Sequence, residues 1–239
     1  MTGGGDRAGG FAACGDGVLV KVLPERLERP VVVGVAGAPG SGKSSVARML
    51  GEAGCVHVDF DAEAKAALEL PEVKEKLRAA WGERVVSASG EVDKAGLAGI
   101  VFGDEGERRR LESMTHPVVW RTRGEARAEA GRAGAWGIVL DAALLFEVGL
   151  DAECDVVVFV ESPREARLQR VSEWRGWDSG ELDRREAAQL AASEKRERSS
   201  VVVLNDGSVV ELARRTGEVC AMLRGRLATA SSSPESGGR

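Results

Sequence analysis

Gly37-Ala38-Pro39-Gly40-Ser41-Gly42-Lys43-Ser44 fits the pattern GxxxxGK[ST] at every fixed position. The run Val31 to Ala36 before it is continuously apolar, as a strand buried on both faces must be. The stretch SSVARMLGEAG after it has helical character. Strand, glycine-rich turn and helix in that order predict a loop whose backbone N–H groups turn toward phosphate oxygens at a positive helix end. The alternative is a plain turn in a chain with 31 glycines, and the flanking strand and helix weigh against it. Gly37, Gly40, Ser41, Gly42, Lys43, Ser44 and Ser45 are therefore expected to bind a nucleotide, with ATP and Mg²⁺ as the implied cofactors. Lys43 would place a point charge near the β- and γ-phosphates, and Ser44 would offer a hydroxyl to the metal.

Outward from the loop, Val56-His57-Val58-Asp59-Phe60-Asp61 alternates apolar and polar residues. While the strand lasts, His57, Asp59 and Asp61 share one face, with both carboxylates toward its C-terminal end. Ligands of open α/β sheets bind at that edge, and phosphoryl transfer needs a carboxylate to orient or deprotonate the acceptor hydroxyl. The competing role for Asp61 is to cap a helix starting at Ala62. Ile138-Val139-Leu140-Asp141 is an apolar strand ending in an acid, which makes Asp141 a candidate for supporting Mg²⁺. Glu147 follows the apolar Leu144-Leu145-Phe146 and is a candidate to touch ligand or cap a helix. Arginines crowd residues 164–198 among glutamates, mostly as a solvated helical face. Arg170 and Arg175 flank a turn before Gly176 and are the candidates for a lid arginine.

The chain has 239 residues, 43% of them hydrophobic, enough for one α/β domain with a helical insertion. A net charge of −5 argues against nucleic acid or an anionic membrane as partner and leaves a small-molecule substrate. Cys14, Cys55, Cys154 and Cys220 form no CxxC pair, so reduced thiols in the cytoplasm are expected. No apolar run is long enough to span a bilayer, and the glycine-rich start does not resemble a secretory signal. Residues 1–30 are expected to be a mobile extension, although Val18 to Val22 has strand character, and residues 228–239 a disordered tail. His116-Pro117 is expected to break the chain between helices over Glu105–Met114 and Val118–Ala130. Nothing in the sequence sets an oligomeric state.

Taken together, these pieces resemble the dephospho-CoA kinase family over about Val31 to Leu227. Besides the loop GAPGSGKSSVA, the matching stretches are VDFDAEAK, FGDEGERRRLESMTHPVV, VLDAALLFEVGLD, EARLQR, AAQLAASEKR and LNDGS, in family order. The loop alone is generic, whereas HP and LLFE at these spacings are specific. The resemblance implies a P-loop kinase-type, doubly wound parallel sheet of about five strands flanked by helices. It places that domain at residues 31–227, with a helical acceptor region about 62–131 and a lid about 164–198. It implies transfer of phosphate from ATP to the ribose 3′-hydroxyl of dephospho-CoA, giving coenzyme A. By position, Asp61 would activate that hydroxyl, Asp59 would assist, Arg170 would be the lid arginine, and His116 and Glu147 would lie by the acceptor. Lys65, Ala143, Trp174, Ser200 and Leu204 depart from the family pattern. The alternatives are a kinase of another small acceptor, such as a nucleoside or nucleotide, and a nucleotide-binding regulator without turnover.

Overall fold

A computed structural model describes residues 10–21, 23–102 and 104–227. Two compact units divide the chain: Met1–His57 with Ala130–Arg239, and Val58–Glu129.

The sheet belongs to the first unit except for Val58 and Asp59, the last two residues of its fourth strand in chain order. Its strands are β1 (Ala12–Gly15), β2 (Val18–Val20), β3 (Val31–Gly37), β4 (Cys55–Asp59), β5 (Gly137–Asp141), β6 (Val156–Glu161) and β7 (Val201–Leu204), in the spatial order β1-β2-β7-β6-β3-β5-β4. β3 runs parallel to both β5 and β6, and β6 parallel to β7. Every residue of β3 and β5 is buried, which is why both read as unbroken apolar runs. Val33, Val35, Val139, Val158, Val160 and Val203 point to one face, where α1 (Lys43–Glu52) packs through Val46 and Leu50 and α9 (Val209–Gly225) through Leu212, Val219 and Leu223. On the opposite face a Cβ at Gly34 would meet Leu145 and Cys154, so that side is covered by the chain after β5. Sheet neighbours on either side of β3 come from chain segments on either side of the winding, which sets a crevice at the C-terminal end of β3.

α6 (Arg164–Arg175) follows β6, with Pro163 at its N-cap and Gly176 ending it in the left-handed region. α7 (Ser179–Ala187) starts on an Asp178 cap, and α8 (Ala192–Arg198) leads into β7.

The second unit is helical: α2 (Phe60–Ala67), α3 (Pro71–Trp81), α4 (Lys94–Phe102) and most of α5 (Glu105–Ala133). Val73, Leu77, Trp81, Val85, Val86 and Leu97 form its core. Trp81 Nε1 donates to Glu107 Oε2 at 2.6 Å, tying α3 to α5.

Two expectations are corrected. The chain does not break at His116-Pro117, because α5 runs through both. Pro117 removes the single bond its N–H would have given to the carbonyl four residues back, and the turns on either side carry the helix across. Nor does the ordered chain begin at residue 31. β1 and β2 form an antiparallel hairpin, and β2 pairs antiparallel with β7, so the five strands expected from the winding become seven. Val22 and residues 228–239 lie outside the described residues.

Candidate active site

The phosphate loop leaves β3 at Gly37 and enters α1 at Lys43. Gly42 is the N-cap of α1 with φ 95°, a left-handed conformation that glycine adopts without penalty. A Cβ there would also lie 2.3 Å from Asn205 Nδ2. The hydrogen bond from Ser41 N to the Ala38 carbonyl (3.0 Å) closes the turn, and Ser45 N and Val46 N both reach the Gly42 carbonyl. The exposed N–H groups at the start of α1 thus crown a closed loop.

Lys43 projects from the first turn of α1 and donates to Asp141 Oδ1 at the end of β5. Asp141 is 1% exposed. His57 Nε2, on β4, lies 3.9 Å from Asp141 Oδ2, an electrostatic contact rather than a hydrogen bond. Burial pushes the Asp141 carboxyl up, but His57, Lys43 and Ser44 outweigh it and hold the group down at about 2. The carboxylate is therefore ionised, and its Oδ2 is buried without a hydrogen-bond partner among the described residues. A buried hard oxygen without a hydrogen-bond partner, on a carboxylate that also interacts with the Ser44 hydroxyl, fits Mg²⁺. Among the described residues no group of three or more His, Cys, Asp and Glu could hold a metal ion, so the metal would share its ligands with nucleotide phosphates.

Arg170 on α6 binds the loop from the other side. Its Nη1 donates to the Gly40 carbonyl (3.2 Å) and Ser162 Oγ (2.8 Å), and its Nη2 to Asn205 O and Oδ1 (3.2 and 3.3 Å). Burial lowers its pKa, but arginine keeps its charge. Arg167, one turn earlier, is held by the Ser162 carbonyl (3.1 Å) and by Glu186 of α7, and reaches the Pro39 carbonyl at 3.5 Å. Arg175, the other lid candidate, stacks on Trp177 at 4.9 Å, and Trp174 beside it is 78% exposed.

Asn205 is the residue that sequence reasoning missed. It is 5% exposed, and its Nδ2 donates to the Ser41 carbonyl at 2.7 Å. Its backbone N–H goes to Glu161 O at 2.6 Å, across the C-terminal ends of β6 and β7. Two signals were available: its place directly after the last strand, at the sheet edge where the loop also sits, and its presence in the LNDGS stretch that resembles the family.

Glu147 is engaged elsewhere than expected. Its Oε1 accepts from Lys195 Nζ and from Leu190 N, both at 2.8 Å. Lys195 is 1% exposed and also donates to Gln189 Oε1 (2.9 Å) and the Ala143 carbonyl (3.3 Å). These contacts join the segment after β5 to α8 through Oε1 and make Glu147 a brace, while its Oε2 is buried without a hydrogen-bond partner among the described residues.

Asp59 and Asp61 belong to the second unit. Asp59 is the N-cap of α2, its Oδ1 accepting from Ala62 N at 2.9 Å. The capping role considered for Asp61 is therefore filled by Asp59, because α2 starts at Phe60, and Asp61 sits exposed in the first turn. His116 lies within α5, and its side chain is outside the described part of the structure.

The family model for dephospho-CoA kinase matches residues 31–211. The dephospho-CoA kinase of Deinococcus radiodurans is 40% identical over 202 residues, 84% of this chain and 95% of the relative. That of Anaeromyxobacter dehalogenans is 41% identical over 199 residues, 81% of this chain and 92% of the relative. A solved structure from Thermus thermophilus, 36% identical, superposes with a TM-score of 0.71, covering 81% of this chain and 98% of its own. The dephospho-CoA kinase of Campylobacter jejuni, at 18% identity and a TM-score of 0.58 over 83% of this chain and 99% of its own, shares the fold.

Proposed function

The chain belongs to the dephospho-CoA kinase family and phosphorylates dephospho-CoA at the expense of ATP, and we propose that the acceptor atom is the ribose 3′-hydroxyl, with the roles divided as follows. The hydroxyl oxygen attacks the γ-phosphorus, the bond to the β,γ-bridging oxygen breaks, and ADP leaves. Lys43 exchanges its ion pair with Asp141 for the β- and γ-phosphates. Arg170, whose guanidinium already binds the Gly40 carbonyl, neutralises charge on the group in transfer. Asp61 orients the 3′-hydroxyl and accepts its proton, with Asp59 holding the start of α2 beneath it. His116 is assigned to the acceptor region on the family match alone. Mg²⁺ would be held by Ser44 and Asp141 and would neutralise charge on the phosphate oxygens.

The observation that carries this reading is the Lys43–Asp141 pair beneath a closed phosphate loop, with Asp141 Oδ2 buried without a hydrogen-bond partner on a carboxylate that Ser44 also touches. The substrate is a small molecule, and no described helix is long and apolar enough to cross a membrane. We place the enzyme in the cytoplasm, where ATP is supplied and where cysteines outside disulfides, as all four are here, persist. The deciding experiment measures ADP release over a panel of acceptors including dephospho-CoA, then locates the new phosphate by phosphorus NMR. Phosphate at the 3′ position is expected. Efficient phosphorylation of a nucleoside or nucleotide with dephospho-CoA untouched would overturn the assignment.

A further inference from the structure

The hairpin of β1 and β2 precedes residue 31, where the family match begins, yet it joins the hydrogen bonds around the phosphate loop. Its turn is Asp16-Gly17. The Gly17 carbonyl accepts from Leu204 N at 2.9 Å, and the Asp16 carbonyl accepts from Arg215 Nε at 3.0 Å. Arg215, on α9, is 5% exposed and sends Nη1 to the Leu204 carbonyl (2.8 Å) and to Asp206 Oδ1 (2.6 Å). The turn and Arg215 therefore grip residues 204 and 206, and Asn205 stands between them. Asn205 in turn holds the Ser41 carbonyl and receives Arg170. Gly17 has φ +82°, and a Cβ there would lie 2.2 Å from Arg215 Nε, so this turn admits no side chain as it stands.

We propose that the β1–β2 hairpin is a positioning element for nucleotide binding: through Arg215 it fixes the 204–206 turn, and so the Asn205 amide on which Ser41 and Arg170 depend. The physical need is clear from the parts. The Asn205 side chain spans the Ser41 carbonyl on one side and the Arg170 guanidinium on the other, so a small rotation of its backbone loosens both. A site held to a fraction of an ångström requires its supporting groups to be locked in turn. Asp206 and Leu204 supply that lock only while Arg215 is itself held, and the hairpin carbonyl at Asp16 provides one of its three partners. The inference rests on the reading of residues 37–45 as the ATP site.

The test uses the full chain. Gly17→Ala pushes a methyl into Arg215, and Arg215→Lys keeps the charge but loses the fork that grips Leu204 and Asp206 together. Val219→Ala in α9 removes only core packing and serves as a reference of matched thermal stability. ADP affinity is read by calorimetry, and KM for ATP and kcat with dephospho-CoA. Both hairpin-network variants should weaken ADP binding and raise KM for ATP roughly fivefold or more, the low end of coupling between linked sites, with KM for dephospho-CoA within about twofold of the parent. Val219→Ala should leave ADP affinity within about twofold at the same loss of Tm. By reciprocity, ADP added to the unmodified chain should slow amide exchange in Val18–Val20 and at Leu204, a readout that needs no variant to fold. ADP affinity that is unchanged in the two variants, or that falls equally in Val219→Ala, overturns the proposal, as does amide exchange in the hairpin indifferent to ADP. Because ADP affinity is independent of the acceptor, a chain that binds ADP but ignores dephospho-CoA refutes the functional reading and leaves this result to be judged by itself.

Discussion

The Lys43 ammonium and the Asp141 carboxylate satisfy each other at the base of the phosphate loop, one from the first turn of α1 and the other from the end of β5. The charge destined for phosphate thus has a buried partner in Asp141. Removing one member exposes the cost of burying the other.

Lys43→Met should lower turnover by two or more orders of magnitude, about 3 kcal/mol of barrier, because the charge that follows the γ-phosphate is gone. It should also destabilise the fold by roughly 1–3 kcal/mol, since Asp141 is left buried with weaker partners. Lys43→Met combined with Asp141→Asn should regain most of that stability while staying inactive. Urea denaturation of the single and double variants checks this. Equal stability of parent and Lys43→Met would show that the pair contributes nothing to the fold.

Asp59 and Asp61 should separate by readout. Asp59→Ala removes the cap of α2 and should cost about 1 kcal/mol of stability, whereas Asp59→Asn retains a capping oxygen and should cost much less. Asp61→Asn should leave stability and ATP binding intact and reduce turnover roughly a hundredfold, the scale of a positioned general base. Parent-like turnover in Asp61→Asn removes the carboxylate from the mechanism.

Glu147→Ala should destabilise the protein by roughly 3 kcal/mol, because it leaves the Lys195 ammonium buried without its anion. Thermal unfolding measures it. A variant with unchanged Tm but a raised KM for dephospho-CoA would return Glu147 to the substrate.

Glu69 reports on acid stability in the second unit. Hydrogen bonds from Lys94 and Lys74 hold its carboxyl at about 2, below the ordinary 4.5. The folded pKa is depressed, so its contribution is present above pH 4.5 and is lost as pH falls toward 2. Glu69→Gln should flatten that part of the Tm–pH curve. The effect should be small and should shrink further in high salt, as both lysines and the glutamate are solvent-accessible. An unaltered curve in Glu69→Gln assigns the acid transition to other carboxylates.

What was legible in the sequence was chemistry carried by local spacing. GKS after an apolar run, an aspartate ending a strand, and an arginine in the second turn of the lid's first helix each depend on residues close together in the chain. The parallel strands β3, β5, β6 and β7 were legible for the same reason, since burial on both faces leaves an uninterrupted apolar signature. Asn205 was not, because its task exists only when β7 lies two strands from β3 and brings residue 205 onto residue 41. The Glu147–Lys195 pair likewise joins segments 48 apart in number, and no periodicity announces it. The start of α2 was expected at Ala62, two residues late, because helix starts shift easily along a run such as Asp59-Phe60-Asp61. Pro117 was given more weight than it has, since one missing donor does not end a helix whose other bonds persist.

The hairpin has a further consequence, for association between chains. β7 is Val201-Val202-Val203-Leu204, and with β6 alone it would close the sheet as an apolar ribbon with its N–H and C=O groups open on one side. Such a ribbon is a template for strand addition and aggregation. β2 occupies that side, and β1 becomes the boundary instead. β1 is only Ala12–Gly15, has small exposed side chains, and slips register against β2 between Ala13 and Gly15. A short, irregular strand of this kind is a poor surface for another strand to extend, so the same segment that steadies Arg215 also shields the sheet from its neighbours in a concentrated solution.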